Sequence, residues 1–395
     1  MIVCGGVYEE VCDDPASRRV LGSGLRAAGL LARRPDTVLV APIDSVTQPA
    51  AQSTAAGIGA TAELSPIRIA PVQYIYDTPV SRPSVWGDGK LSEPMPPVRG
   101  DAVLLFGLHE GPPDVAAPDI VVDPQHSLDL AHLATFTSER LVIVANEHEL
   151  ASLTGINDPM RSTAELMRST GATAVVAKLG ALGTLVRSGE TQHGFLWPEP
   201  TASSWAIGSG DAFSAGFASA WFDGASAYDA ARSGRAMAAW WCSTTTLPAP
   251  DLTLLDDDLH DDLPTRPRIY IAAPFFDVAQ RWLVRTIRAA LHDAGAHTFS
   301  PMEDVGIGGP EVAQADLAGL AACDAVLAVV DDVDAGTLFE VGWATANDVP
   351  VVIHSQRAPS EAHTMPKGTG STVFDDLSSA IYAAVWAGMQ HGRER

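Results

Sequence analysis

The sequence has few cysteines, few basic residues and no long apolar run. Its cysteines are scattered without the spacing of metal ligands (Cys4, Cys12, Cys242 and Cys323), which predicts a reduced, cytoplasmic protein without disulfides. No segment reaches the roughly eighteen uninterrupted apolar residues of a membrane span. The first residues, MIVCGGVYEE, lack the basic region and apolar core of a signal peptide. We therefore expect no membrane partner.

Positive charge is also scarce: 25 Lys and Arg residues face 48 Asp and Glu residues, for a formal net charge of −23. A chain this acidic is a poor candidate for binding a nucleic-acid backbone or an anionic membrane. A small anion needs only local backbone N–H groups and a few cations, so the charge does not exclude one. The expected partners are therefore small molecules and not nucleic acids.

The chain is long enough for two domains. Its 395 residues, 46% of them hydrophobic, can bury two cores. The stretch TLPAPDLTLLDDDLHDDLPTRPR contains four prolines and a run of acids, with little periodicity. This pattern predicts a first domain over 1–245, a linker over 246–267 and a second domain over 268–395.

Both parts alternate short β-rich runs with helical patterns. Runs such as DTVLVA, RLVIVAN and TAVVAKLG predict a mainly parallel sheet covered by helices, and PVQYIYDTPVSRPSVW predicts an edge hairpin or lid. In the second part, RIYIAA, DAVLAVV and PVVIHS belong to an open parallel sheet of four or five strands. The predicted class is α/β with two domains, and open sheets of this kind bind ligands beyond the carboxyl ends of their strands.

The stretch DAGTLFEVG follows the third strand predicted for the second domain. Its Thr337 and Glu340 have the spacing of a helix capping box, but the helix start could equally aim a carboxylate into a cleft. The strand-end rule brings Tyr270 and several carboxylates, including Asp316 and Asp334, to the same rim. Because crowded carboxylates cannot all ionise freely, one can act as an acid while another is a nucleophile. Cleavage of a glycosidic bond needs that division.

Four segments in order resemble the nucleoside 2-deoxyribosyltransferase family, which includes deoxynucleoside monophosphate N-glycosidases. They are IYIAAPFF, SPMEDVGIGG, ADLAGLAACDAVLAVVDDVDAGTLFEVGWA and PVVI, within residues 268–355. The resemblance implies a Rossmann- or flavodoxin-like sheet and no cofactor. It implies that Glu340 attacks the sugar C1′ to form a covalent glycosyl-enzyme, that Tyr270 orients it and that Asp316 is the acid. Further substrate contacts are assigned to Asp334, Phe275, Asp304 and Gly336.

The resemblance leaves the substrate and outcome open. The monophosphate-specific branch has a Ser/Arg/Gly-rich phosphate loop after the first strand, where this chain has AAPFFDVAQR, so nucleosides are favoured over monophosphates. A monophosphate N-glycosidase remains the alternative, and both transfer to a second nucleobase and hydrolysis remain open. Since the transferases borrow residues from a neighbouring subunit, the resemblance also implies a homo-oligomer.

The N-terminal part has its own motif, AIGSGDAFSAGFASAW. Gly208, Ser209 and Gly210 lead into a predicted helix, where small residues and the helix dipole favour an anion. Asp211 beside them could deprotonate a substrate hydroxyl for phosphoryl transfer.

Together with VVDPQ, NEHELASLTG and VVAKLGALGTLV, this motif resembles the ribokinase-like (PfkB) sugar and nucleoside kinases over residues 1–245. The resemblance implies that Asp211 is the base, that Gly208–Gly210 form the anion hole, and that Asn146 and Glu149 organise the magnesium and phosphates of Mg-ATP. No direct metal ligand is predicted.

The N-terminal motif departs from this family. Where the family has DTxGAGD, this chain has WAIGSGD, so Trp205 replaces an aspartate. One hypothesis is a kinase that phosphorylates a nucleoside or sugar through a modified site. The other is a regulatory protein whose N-terminal domain is a pseudokinase, kept as a scaffold, dimerisation unit or nucleoside sensor. Helix capping by Asn146 and Glu149, and core packing of Trp205, stay open as structural explanations.

Overall fold

The structure is a computed structural model that describes residues 1–125, 127–189, 192–255, 257–306 and 308–394. Asp256 of the predicted linker and Ile307 of the SPMEDVGIGG segment lie outside the described residues. None of the helices in these ranges is long and apolar enough to cross a membrane.

The N-terminal part contains fifteen strands and seven α-helices within the described residues. The strands are β1 (Ile2–Cys4), β2 (Glu9–Cys12), β3 (Ser17–Val20), β4 (Val38–Pro42), β5 (Thr61–Ser65), β6 (Gln73–Tyr76), β7 (Ser84–Trp86), β8 (Val98–Arg99), β9 (Ala102–Phe106), β10 (Val115–Ala116), β11 (Asp119–Asp123), β12 (Arg140–Asn146), β13 (Ala174–Lys178), β14 (Thr184–Ser188) and β15 (His193–Leu196). The helices are α1 (Gly22–Leu30), α2 (Gln48–Ile58), α3 (Leu130–Leu133), α4 (Glu147–Thr154), α5 (Pro159–Thr170), α6 (Ser209–Phe222) and α7 (Ala227–Thr244).

Nine of these strands form one sheet in the order β15-β14-β13-β12-β11-β9-β1-β4-β5. Seven neighbouring strands, from β13 to β5, are parallel, and β14 and β15 add an antiparallel edge. The central strands are mainly apolar, with charged residues only at their ends, because helices cover both faces, as the sequence predicts.

The predicted hairpin belongs to a separate small sheet. Strands β6 and β7 pair antiparallel, and the order is β3-β2-β6-β7. Tyr8, Glu10, Tyr74 and Tyr76, from this sheet and the segment before it, reach the cavity at the carboxyl edge of the large sheet. The hairpin is therefore placed as a lid over that edge.

The C-terminal part repeats the α/β plan around a five-stranded sheet, counted over the described residues. Its strands are β16 (Arg268–Ala272), β17 (His297–Phe299), β18 (Ala325–Val329), β19 (Val351–His354) and β20 (Thr372–Phe374). Its helices are α8 (Val278–Asp293), α9 (Pro310–Ala321), α10 (Ala335–Ala346), α11 (Thr364–Gly368) and α12 (Leu377–Glu394). All neighbours are parallel, in the order β17-β16-β18-β19-β20. This is the flavodoxin-like order 2-1-3-4-5, whose switch point lies between the first and third strands.

The two parts share a hydrophobic core. One cluster of buried residues runs from Val175 of the large sheet through Leu182 to Leu291 and Val385 of the C-terminal part. Helix α12 completes this contact, since Trp386 Nε1 donates a hydrogen bond to the carbonyl oxygen of Ala181 over 3.0 Å. Its packing against β18 and β19 on one side and the N-terminal part on the other joins the two sheets.

Candidate active site

The C-terminal sheet places a tyrosine directly against the predicted nucleophile. Tyr270 is the central residue of β16 and is fully buried, with its ring stacked on Phe299 at 5.5 Å between centroids. Its hydroxyl donates a hydrogen bond to Glu340 Oε1 over 2.7 Å. Because the rigid strand and the stacked ring fix the hydroxyl, this bond orients the Glu340 carboxylate towards β16.

The capping-box alternative for Glu340 is wrong in this structure. Helix α10 is capped by Asp334, whose Oδ2 accepts from the Thr337 backbone N–H over 2.8 Å and from its hydroxyl over 3.0 Å. The helix thus begins at Ala335, two residues before the predicted start at Thr337. Gly336 lies in the first turn, beside the Asp334 carboxylate. The Glu340 carboxylate therefore caps no helix and is available to accept the hydrogen bond of the Tyr270 hydroxyl.

The carboxylates of this site differ in their electrostatics. Burial raises the pKa of Glu340 to about 7; the Tyr270 hydrogen bond opposes this rise, while Asp316 and Asp334 add to it. Burial also raises the pKa of Asp316 on α9. Asp316 Oδ1 is buried and has no hydrogen-bond partner among the described residues, which leaves it open to bond a ligand.

Phe275 and Asp304 are also predicted to contact the substrate. Phe275 follows β16 and stacks on Phe276 at 5.8 Å, and Phe276 is 70% exposed. Asp304 lies in a π-helical turn over Pro301–Val305, where its Oδ2 accepts from the Ser300 backbone N–H over 2.7 Å. The hydrogen bond of Asp304 is therefore local to its own turn, and the structure gives it no contact with Glu340.

The N-terminal motif also starts a helix at the carboxyl edge of its sheet. Gly208 adopts φ 78°, and no described side chain caps α6. A Cβ at Gly208 would collide with the guanidinium of Arg26, so both the backbone and the space require glycine. Ser209 and Gly210 form the first turn. The Ser209 amide donates to the Ala206 carbonyl oxygen over 3.1 Å, so it is not open to an anion in this structure.

Asp211, the predicted base, is held in a buried ion pair. Arg26 of α1 is 1% exposed and bridges the carboxylates of Glu10 and Asp211. Gln125 Nε2 donates a further hydrogen bond to Asp211 over 3.2 Å. Burial raises the pKa of Asp211 to about 6, although Arg26 opposes the rise. Sequence reasoning missed Arg26, whose only signal is one charge within the otherwise small and apolar LRAAGLL.

Asn146 and Glu149 form the capping box that the sequence left open. The Asn146 side chain accepts from the Glu149 backbone N–H over 2.9 Å, and the Glu149 carboxylate accepts from the Asn146 N–H over 2.7 Å. Lys178 pairs with Asp123 at 2.5 Å nearby. These last two residues were also missed, although both end strands of the large sheet and the strand-end rule could have selected them.

Apart from Ser209, these groups line a cavity of about 560 Å³ that the lid partly covers. On the other side of the α6 start lies a smaller cavity of about 120 Å³, which also contacts Lys178 and Gly210. The residues assigned to Mg-ATP fit it in part. Gly208, Gly210 and Asn146 line the larger cavity, but the capping box already uses one Glu149 oxygen.

Two family models match the chain. Residues 269–373 match the model described as nucleoside 2-deoxyribosyltransferase, and residues 119–251 match that of the pfkB family carbohydrate kinases. The chain thus combines a kinase-like domain with a nucleoside deoxyribosyltransferase-like domain, as the sequence motifs predict.

Solved structures of ribokinase-family kinases are similar to the N-terminal part. The ribokinase of Arabidopsis thaliana complexed with ribose and ATP is 16% identical, with 63% of this chain and 95% of that chain covered and a TM-score of 0.48. A Vibrio cholerae fructokinase bound to fructose, ADP and calcium is 14% identical (62% and 93% covered, TM-score 0.48). A sulfate complex of a pyrophosphate-dependent kinase is 17% identical (63% and 97% covered, TM-score 0.47). No curated protein is similar enough to count as a match.

Proposed function

We propose that the C-terminal domain breaks the N-glycosidic bond of a 2′-deoxynucleoside with Glu340 as nucleophile. The observation that carries this proposal is the 2.7 Å hydrogen bond from the Tyr270 hydroxyl to Glu340 Oε1. It orients a carboxylate that has no capping duty, at the switch point of an open parallel sheet. The match of residues 269–373 to the deoxyribosyltransferase model supports the same reaction class.

The reaction needs one ionised carboxylate as the nucleophile and one protonated carboxyl group as the acid. A Glu340 oxygen attacks C1′ while the bond from C1′ to the base nitrogen breaks, and protonated Asp316 gives its proton to the departing base. A second nucleobase or water then attacks C1′, Glu340 leaves as carboxylate, and the proton released by the incoming group returns to Asp316. The pKa of Asp316, raised by burial, favours the proton that this step uses.

The loop after β16 favours nucleosides over monophosphates. Asp277 caps α8 and accepts from the Gln280 backbone N–H over 2.8 Å, so a carboxylate already occupies the helix start where a phosphate would bind. The nearby Arg281 donates to the carbonyl oxygen of Phe275 over 2.8 Å. A phosphate placed there would face Asp277 without a free cation from this loop.

A substrate panel tests this function. The protein is incubated with deoxy- and ribonucleosides and their 5′-monophosphates, with and without a second nucleobase, and free base is followed by chromatography. We expect release from at least one deoxynucleoside, at a higher rate than from its monophosphate. Faster release from the monophosphate would favour the N-glycosidase alternative, and no release from any substrate would contradict the proposal.

The pH dependence of base release is expected to report the ionisation of Glu340. Since Glu340 must be ionised while Asp316 stays protonated, the rate should pass through a maximum, and its limb near pH 7 should report Glu340. Tyr270→Phe removes the hydrogen bond that lowers the Glu340 pKa, so that limb should move to higher pH. Tyr382→Phe, at a tyrosine on α12 outside this site, should leave the limb unchanged. A limb that stays fixed in Tyr270→Phe would show that another group titrates.

We also propose that the protein forms a homo-oligomer around the C-terminal site. Large apolar side chains on the helices next to Glu340 are exposed, including Phe339 at 62%, Trp282 at 52% and Val278 at 84%. Such residues are commonly covered by a second subunit. The expected partners of the site remain a nucleoside and a nucleobase.

A second candidate function concerns the N-terminal domain, which we propose binds a small molecule without transferring phosphate from ATP. The buried pair of Arg26 with Asp211 favours it, since the carboxylate that would accept a hydroxyl proton is already engaged by the Arg26 guanidinium. ATP consumption that depends on a nucleoside or pentose, and that disappears in Asp211→Asn, would contradict this proposal.

A further inference from the structure

The Phe299 ring fills the space between the first strand of the C-terminal sheet and helix α9. Phe299 ends β17 and lies directly opposite Tyr270 of β16 in the parallel register, so both side chains stand on the same face of the sheet. Their rings are stacked with an interplanar angle of 14°, and the Arg268 guanidinium carbon lies 5.3 Å from the centroid of the Phe299 ring. Two residues of β16 therefore hold one side of this ring.

On its other side the Phe299 ring lies against a glycine of α9. A Cβ at Gly319 would overlap the outer edge of the ring, at Cζ, Cε1 and Cε2. Gly319 is buried inside the helix, where only proline is less favourable than glycine, so the close contact with the ring explains its presence. Helix α9 thus approaches β16 as closely as one aromatic ring allows.

This contact lies one helical turn from the predicted acid. Asp316 precedes Gly319 by three residues on α9, and residues at this spacing share one face of a helix. On the β16 side of the ring, the Tyr270 hydroxyl donates its hydrogen bond to Glu340. A change in the size of the side chain at position 299 would therefore move the acid relative to the nucleophile without altering either group.

We propose that Phe299 is a positioning residue, whose ring is the spacer that sets the distance between Asp316 and Glu340. The inference rests on the glycosidic reaction proposed above, in which these two carboxyl groups act together. A misplacement of about 1 Å, caused by a residue that does not touch the substrate, can slow a reaction by about 100-fold. The spacer should therefore affect the chemical step more than substrate binding.

Two variants change the spacer from opposite sides. Phe299→Leu removes the outer ring atoms, and Gly319→Ala adds a methyl group to the space that those atoms occupy. Each should lower kcat for base release by about 10- to 100-fold and leave KM within about threefold, because misalignment slows the chemical step. In the double variant the new methyl group fills the vacated space, so kcat should recover at least about fivefold over either single variant.

Val351→Ala is the control that distinguishes positioning from stability. Val351 belongs to the same buried cluster as Phe299, but it lies at the amino end of β19, away from the site. This variant should lower the midpoint of thermal unfolding and leave kcat of the folded protein unchanged. The proposal is overturned if either single variant keeps the wild-type kcat, if its loss lies mainly in KM, if the double variant shows the product of the two single losses, or if Val351→Ala lowers kcat equally.

Crystal structures of the variants test the spacer without any substrate. In Gly319→Ala, α9 should lie further from β16 or the Phe299 ring should no longer stack on Tyr270, and the double variant should restore the wild-type spacing. An unchanged helix and an unchanged ring in Gly319→Ala would overturn the proposal even if base release fell. If the wild type releases no base, the proposed reaction fails, and these structures alone decide whether Phe299 is a spacer.

Discussion

Replacing Glu340 with alanine is expected to lower the rate of base release by about 1000-fold or more. Loss of a catalytic nucleophile typically has an effect of this size, because the remaining groups cannot form the covalent intermediate. Base release is followed by chromatography with the deoxynucleoside that the substrate panel identifies. Glu340→Gln should lose the same activity, while its amide oxygen still accepts the hydrogen bond of Tyr270.

The Glu340→Gln variant distinguishes the loss of the nucleophile from a loss of stability. In Glu340→Ala the buried Tyr270 hydroxyl loses its partner, which costs about 1–3 kcal/mol of stability. In Glu340→Gln that cost is absent, so an equal loss of activity with near-native thermal unfolding points to the nucleophile. Glu361→Ala, on an exposed turn of the same domain, is the matched control and should keep full activity.

A trapped intermediate would test the same role directly. Quenching the wild-type reaction in acid and digesting the protein should yield a peptide with one deoxyribosyl group on Glu340. The adduct should be absent from Glu340→Gln. Undiminished base release in either Glu340 variant would exclude this residue as the nucleophile.

The C-terminal site was predictable mainly from the family resemblance of its segments, because Tyr270 lies in the middle of β16 and Asp316 and Glu340 lie within α9 and α10. The hydrogen bond predicted from Tyr270 to Glu340 is present. The start of α10 was predicted wrongly because Thr337 and Asp334 can both cap a helix. Only the structure shows that the Asp334 side chain accepts from Thr337.

The missed features depend on contacts between distant parts of the chain. Arg26 lies 185 residues before Asp211, and nothing in LRAAGLL indicates which carboxylates it meets. The packing of α12 against Ala181 spans 205 residues and crosses the domain boundary. An amphipathic pattern predicts that α12 is buried on one face, but not that the N-terminal domain covers it.

Arg26→Met is expected to lower the free energy of unfolding of the N-terminal domain by about 3–5 kcal/mol near pH 8. The change keeps the apolar volume but leaves the Glu10 and Asp211 carboxylates, each 13% exposed, without their cation, and an unpaired buried charge costs this much. Chemical denaturation followed by tryptophan fluorescence measures the loss. Arg18→Met is the matched control: its pair with Glu9 is 69% exposed at the arginine, so the loss should be much smaller than in Arg26→Met.

The pH dependence of this loss distinguishes charge from packing. Without Arg26, the folded-state pKa of Asp211 should rise above its present value of about 6. It would then lie further above the pKa of Asp211 in the unfolded state. The folded state then binds more protons than the unfolded state, so stability falls as pH rises. The deficit of Arg26→Met should therefore be smaller at pH 5 than at pH 8, and adding Glu10→Gln and Asp211→Asn should recover part of it. A deficit in the free energy of unfolding that is equal at both pH values and unchanged by those additions would mean that Arg26 acts through packing. Asp211 would then again be a candidate base.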